Sequence, residues 1–93
     1  MEIITFCERN LELELNKFEI QTLKYAVKCI DNNEFIMYDT TMAIRARGYF
    51  NLILKLYYEK PLTDEDFKRI HKHFNRKVCD KIYEYYERKT NDK

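Results

Sequence analysis

Glycine and proline occur once each in this chain, at Gly48 and Pro61. A sandwich or barrel depends on many such turn-formers, so their scarcity argues against an all-β fold and for helices. No apolar run approaches the ~20 residues that span a membrane. The first residues, with Glu2 and no basic stretch ahead of an apolar one, do not read as a secretory signal. Serine is absent, which removes the commonest nucleophile, and the single glycine leaves no glycine-rich phosphate loop. Cysteine is sparse as well. Cys7, Cys29 and Cys79 are odd in number and widely separated, which fits reduced thiols in a cytoplasmic protein and not a disulfide framework.

What remains is apolar and charged in nearly equal measure, 45% and 35% of 93 residues, enough for one compact domain and too apolar for a disordered chain. Phe, Tyr, Met, Ile, Asn and Lys are abundant while Ala, Gly and Pro are scarce. That bias follows AT-rich codons and suits a low-GC bacterium or its phage. The net charge of +1 is unevenly spread. Residues 1–20 carry five acids against two bases, and residues 45–93 carry thirteen bases against eight acids.

The first fifteen residues look extended. Ile3-Ile4-Thr5-Phe6 is β-branched and aromatic, and Leu11-Glu12-Leu13-Glu14-Leu15 alternates, so a short hairpin bending at Glu8-Arg9-Asn10 is expected. Asn16 and Glu19 form a capping box, with Leu15 and Ile20 as its hydrophobic staple. The helix they open carries Ile20, Leu23, Val27 and Ile30 in one stripe and breaks at Asp31-Asn32-Asn33. Residues 34–39 read as a short strand, a connector or an early turn of the next helix.

Asp39 or Thr40 can cap a second helix, with Met42, Ala46, Tyr49, Phe50, Ile53, Leu56 and Tyr57 on one side and Pro61 ending it. Gly48 inside it costs ~1 kcal/mol relative to alanine unless a neighbour needs the room. The third start is the clearest: Thr63 caps, Asp66 reciprocates, and Leu62 and Phe67 complete a staple. The stripe then runs through Phe67, Ile70, Phe74, Val78, Ile82 and Tyr85 or Tyr86 to about Arg88, as one helix or as two divided at Asn75. Residues 90–93 are expected to fray. The fold expectation is a mainly α domain, or α+β if the hairpin forms, with three or four packed helices.

Chemistry-bearing constellations are few. His71 and His73 lie two apart, so a regular helix points them in different directions and they cannot chelate one ion. No paired metal-ligand spacing and no oriented nucleophile is visible, so neither an enzyme nor a cofactor is expected. Lys68, Lys72 and Arg76 fall at steps of four, and Arg45 and Arg47 stand at the start of the second helix. Such a stripe, extending to Lys81, can follow a phosphate backbone, although Asp66, Asp80 and Glu84 interrupt it.

Tyrosine is over-supplied, eight in all, with pairs at Tyr57-Tyr58 and Tyr85-Tyr86. Adjacent helix positions diverge by ~100°, which makes Tyr58 and either Tyr83 or Tyr86 candidates for a recognition surface. The plainer alternative is that these rings close the edge of a small core. These features point to a non-enzymatic module that binds a protein partner as inhibitor or regulator. A phage or mobile-element factor of the anti-defence type is one such case. The alternatives are a nucleic-acid-binding regulator using the basic stripe and a structural subunit that self-associates into a homo-oligomer.

Overall fold

A computed structural model describes residues 1–38 and 44–91 of the chain. Five helices are present among them: α1 (Ile3–Asn10), α2 (Lys17–Asp31), α3 (Ile44–Tyr57), α4 (Asp64–His73) and α5 (Arg76–Asn91). The described residues contain no strand, so the fold is mainly α with more helices than the sequence suggests.

The expected hairpin is replaced by α1. Glu2 caps it, its carboxylate accepting from the amides of Ile4 (3.1 Å) and Thr5 (3.4 Å). Helical winding brings Ile3, Ile4, Cys7 and Leu11 to the core together, where a strand would have split Ile3 from Ile4. Burial of that stripe outweighs the few tenths of a kcal/mol per residue by which β-branched residues disfavour helix. The leucine alternation still tells which side faces in: Leu11 and Leu13 are buried and Leu15 half-buried. No neighbouring strand receives their backbone. The Leu13 amide instead donates to the Cys7 carbonyl at 3.0 Å, closing the end of α1.

Two of the capping signals read from the sequence are present. The Asn16/Glu19 box starts α2 and the Thr63/Asp66 box starts α4. Asn75 divides the last stretch into two helices. Its side chain accepts from the Val78 amide at 2.9 Å and caps α5, which runs through Asn91. The Asp39 and Thr40 caps and the Met42 position lie outside the described residues. Residues 34–38 are an irregular connector in which Ile36 and Tyr38 pack inward while Phe35 and Met37 stand out.

Helix ends had to be made almost without glycine. Glu12, Asn33 and Glu59 take φ of 51°, 61° and 55°, just past the ends of α1, α2 and α3. At Asn33 and Glu59 the next amide bonds back five residues, Glu34 to the Cys29 carbonyl at 2.8 Å and Lys60 to the Lys55 carbonyl at 2.9 Å. These are Schellman closures, one on asparagine, which tolerates the left-handed conformation, and one on Glu59, for which it costs roughly 1 kcal/mol or more.

α3 is the central helix, packed by α1, α2 and α4, while α5 lies against α1 and α4. Consecutive burial of Leu52, Ile53 and Leu54, with Phe50 and Leu56, covers far more of its circumference than the single side read from spacing. Gly48 meets the His73 ring: a Cβ there would lie 3.2 Å from His73 Nε2, so α4 approaches α3 closely at this point. In α2 the buried set is Leu23, Ala26 and Cys29, with Ile20 and Val27 half-buried. Ile30, expected in the stripe, is exposed.

Candidate functional site

The tyrosines singled out by spacing are used inside the molecule. Tyr58 is half-buried at the junction of α2 and α3, and its hydroxyl donates to Asp31 Oδ1 at 3.2 Å. Burial, reinforced by that carboxylate, pushes its phenol up to about 12. Tyr83 lies parallel to Phe67 with centroids 5.9 Å apart, its hydroxyl 2.9 Å from His71 Nε2. Tyr86 meets the same Phe67 ring edge-on at 5.5 Å, and its hydroxyl accepts from the Leu62 amide at 3.5 Å. Two tyrosines of α5 thus clasp one phenylalanine of α4, and each keeps only part of its surface in water.

The basic stripe is also redistributed. α4 ends at His73 and α5 starts at Arg76, so Lys68 and Lys72 do not continue onto Arg76 along one helix face. Lys68 lies 3.9 Å from Glu65, while Lys77 and Lys81 reach Glu12 at 3.7 and 3.5 Å. Lys72 and Arg76 are exposed and have no ion pair among the described residues. Arg47 is half-buried on α3, and the side chain of Arg45 lies outside the described residues. The candidates whose side chains are described therefore form no common surface. Tyr58 belongs to the α2–α3 junction, Tyr83, Tyr86, Lys68, Lys72 and Arg76 to the α4–α5 pair.

A different set stands out. Phe35 is 94% exposed, Met37 78%, Phe18 57% and Tyr25 43%. Taking ~200 Å² for a fully exposed side chain of this size, the four together present roughly 500 Å² of surface. Contacts connect parts of this set to one another and to the core. The Met37 amide donates to the Tyr25 hydroxyl at 3.3 Å, and Phe18 and Tyr38 flank Phe50 with centroid distances of 6.3 and 6.4 Å. Beside Phe18 a cleft of about 400 Å³ opens between the start of α2 and α3, with Tyr49, Phe50 and His73 in its wall. One signal was legible: Phe18 and Tyr25 are seven apart, on one side of α2, displaced from the buried stripe.

Reactive chemistry is muted. All three cysteines are buried and free. Burial, with Glu2 and Glu8 nearby, pushes the Cys7 thiol up to about 12, the reverse of an activated nucleophile. Cys79 directs its thiol at the carbonyls of Ile70 (3.5 Å) and Phe74 (3.4 Å), satisfying the end of α4. Among the described residues no three His, Cys, Asp or Glu side chains gather as a metal site, and no helix is long and apolar enough to cross a membrane.

Comparison of the chain with family models, with curated proteins and with solved structures finds no match.

Proposed function

We propose that this chain is a small non-enzymatic module that binds a partner protein and acts by occupying its surface, as an inhibitor or regulator. The observation that supports this is the exposed cluster Phe18, Tyr25, Phe35 and Met37. Aromatic and methionine side chains left in water are stabilised by a covering partner whenever the apolar surface buried outweighs the rotamer freedom lost. Burying a fully exposed phenylalanine stabilises a complex by about 1.5–3 kcal/mol. Small size and an AT-rich composition suit a phage or mobile-element factor that redirects a host protein, anti-defence inhibitors included.

Site-resolved photo-crosslinking tests the reading. A benzophenone side chain is placed at Phe35 in one variant and at Lys72 in another, and both are irradiated in the producing cell. The reading expects one discrete protein adduct from position 35, absent from position 72 and lost when Tyr25 and Met37 are changed to Ser. Adducts from position 72 alone, or adducts to nucleic acid, would transfer the function to the α4–α5 face. Adducts only to a second copy of the chain would make it a self-associating subunit.

A further inference from the structure

Lysines are not disposed alike on the different helices. In α5, Lys77, Lys81 and Lys89 each lie within 4 Å of a carboxylate, Glu12 or Glu59. In α2, Lys17, Lys24 and Lys28 are all exposed and none has an ion pair among the described residues. Three of the acidic groups near α2 make hydrogen bonds of their own. Glu2 caps α1, Glu19 closes the capping box at Asn16, and Asp31 accepts from Tyr58. The three ammonium groups are therefore left for solvent or for a ligand.

Their spacing gives them a common direction. Positions 17, 24 and 28 form one row along α2. Phe18 and Tyr25, each one residue after a lysine of the row, form a second row turned by ~100°. The connector brings the Met37 amide to the Tyr25 hydroxyl and carries the exposed Phe35 two residues earlier. α2 thus presents an outward aromatic row bordered along its length by positive charge.

The charge pattern selects among occupants. A second copy related by a two-fold axis across α2 would set lysine row against lysine row, which is repulsive. A nucleic acid or an anionic bilayer would meet Glu34 next to Phe35 and Asp31 at the end of α2, charges of the sign that each repels. A protein segment can place carboxylates along one border and leave the other neutral. We infer that α2 and residues 34–38 form a docking face for an acidic amphipathic segment of a partner protein. Its apolar side chains cover Phe18, Tyr25, Phe35 and Met37, and its carboxylates meet Lys17, Lys24 and Lys28. This rests on the protein-docking reading above and specifies the chemistry of the partner. The cleft beside Phe18 has room for one apolar anchor of that segment.

The test uses the full chain and two fluorescein-labelled amphipathic helical peptides that share a Leu/Phe face and differ in bordering it with Glu or with Lys. Anisotropy titrations at low salt should show the Glu-bordered peptide binding about tenfold more tightly or better. The triple variant Lys17→Glu, Lys24→Glu, Lys28→Glu should reverse that order. Its substitutions lie on exposed positions, and far-UV circular dichroism checks its fold. The Phe35→Ser, Met37→Ser variant should weaken both peptides. Equal binding of the two peptides, or an order unchanged by charge reversal, overturns the acidic assignment and leaves the docking face standing. Binding of neither peptide overturns both. Tighter binding to phosphatidylglycerol vesicles or to oligothymidylate than to the Glu-bordered peptide overturns the inference in favour of a polyanion.

Discussion

Replacing Asp66 by alanine should be among the costliest changes to a polar side chain of this fold, because the residue is buried and serves an ion pair as well as the capping box read from its sequence. Its side chain is only 4% exposed, while that of its partner Lys55 is 37% exposed. Oδ2 accepts from Lys55 Nζ at 2.6 Å and from the Thr63 amide at 2.9 Å, so one carboxylate pins α3 to α4 and closes the α4 cap. Hydrogen bonds to a charged group contribute about 1.5–3 kcal/mol, and the cap about 1. Lys55 can recover water once its partner is gone, which keeps the cost below the 3–5 kcal/mol of a stranded buried ion. A loss of about 2–3 kcal/mol follows, or roughly 10–20 °C in Tm for a domain of this length.

The pH dependence adds a second reading of the same contact. Burial alone pushes the Asp66 carboxyl up, but the hydrogen bonds from Lys55 and Thr63 and the Lys55 charge outweigh it and hold the carboxyl below its ordinary value. A depressed native value means that the unfolded chain takes up the proton first. The stabilisation is therefore complete above the unfolded value near ~3.9 and fades as pH falls through the native one. Urea titrations followed by circular dichroism, parent against Asp66→Ala, should show a gap that is full at neutral pH and shrinks in acid. A Lys55→Met, Asp66→Asn cycle should give a coupling of about 1 kcal/mol or more. A gap below ~0.5 kcal/mol at neutral pH, or one as wide in acid as at neutrality, would refute this account of the contact.

Four further outcomes are expected. Gly48→Ala should give little net change because its Cβ meets His73 Nε2 at 3.2 Å. In a His73→Ala background the full helix gain of ~1 kcal/mol should emerge, and additive free energies from urea melts would refute the contact. Glu59→Gly should raise the urea midpoint by the equivalent of roughly 0.5–1 kcal/mol. It relieves the left-handed backbone at φ 55° and gives up only the exposed pair with Lys89. Cys7 should resist iodoacetamide at mildly alkaline pH until the protein unfolds, and rapid labelling of the native chain, read by mass spectrometry, would contradict its burial and raised thiol. Phe35→Ser should leave stability within ~0.5 kcal/mol, since the ring is 94% exposed, and a larger loss in a thermal melt would mean that the ring packs in the free protein.

Signals that act within four residues were legible. Asn16 with Glu19 and Thr63 with Asp66 close their boxes, and Asn75, where the sequence left one helix or two open, caps a fifth helix. The stop of α2 at Asp31-Asn32-Asn33 was legible too, whereas α3 ends at Tyr57, ahead of Pro61, and α5 runs past Arg88 to Asn91. The N-terminal segment was not. Ile3 to Phe6 favours strand by type, and only the core formed by α3 and α5 makes the helical arrangement better, with Phe6 edge-on to Tyr57 at 5.4 Å and to Tyr85 at 5.3 Å.

The candidate site divides along the same line. Periodicity assigns a residue to a side of its own helix but does not say which neighbour covers that side. Tyr58, Tyr83 and Tyr86 stand at the edges of their stripes, and it took Asp31, Phe67 and Leu62, brought in by other elements, to occupy them. Phe18, Tyr25, Phe35 and Met37 are apolar by type and would have been counted as core, yet no element of the described fold lies over them. Composition and local spacing determined that this chain is mainly helical and where several of its helices begin. Which aromatic rings hold the helices together and which are left for a partner was decided by tertiary packing. Burial depends on surfaces contributed by residues far apart in the chain, and no short window of sequence contains them.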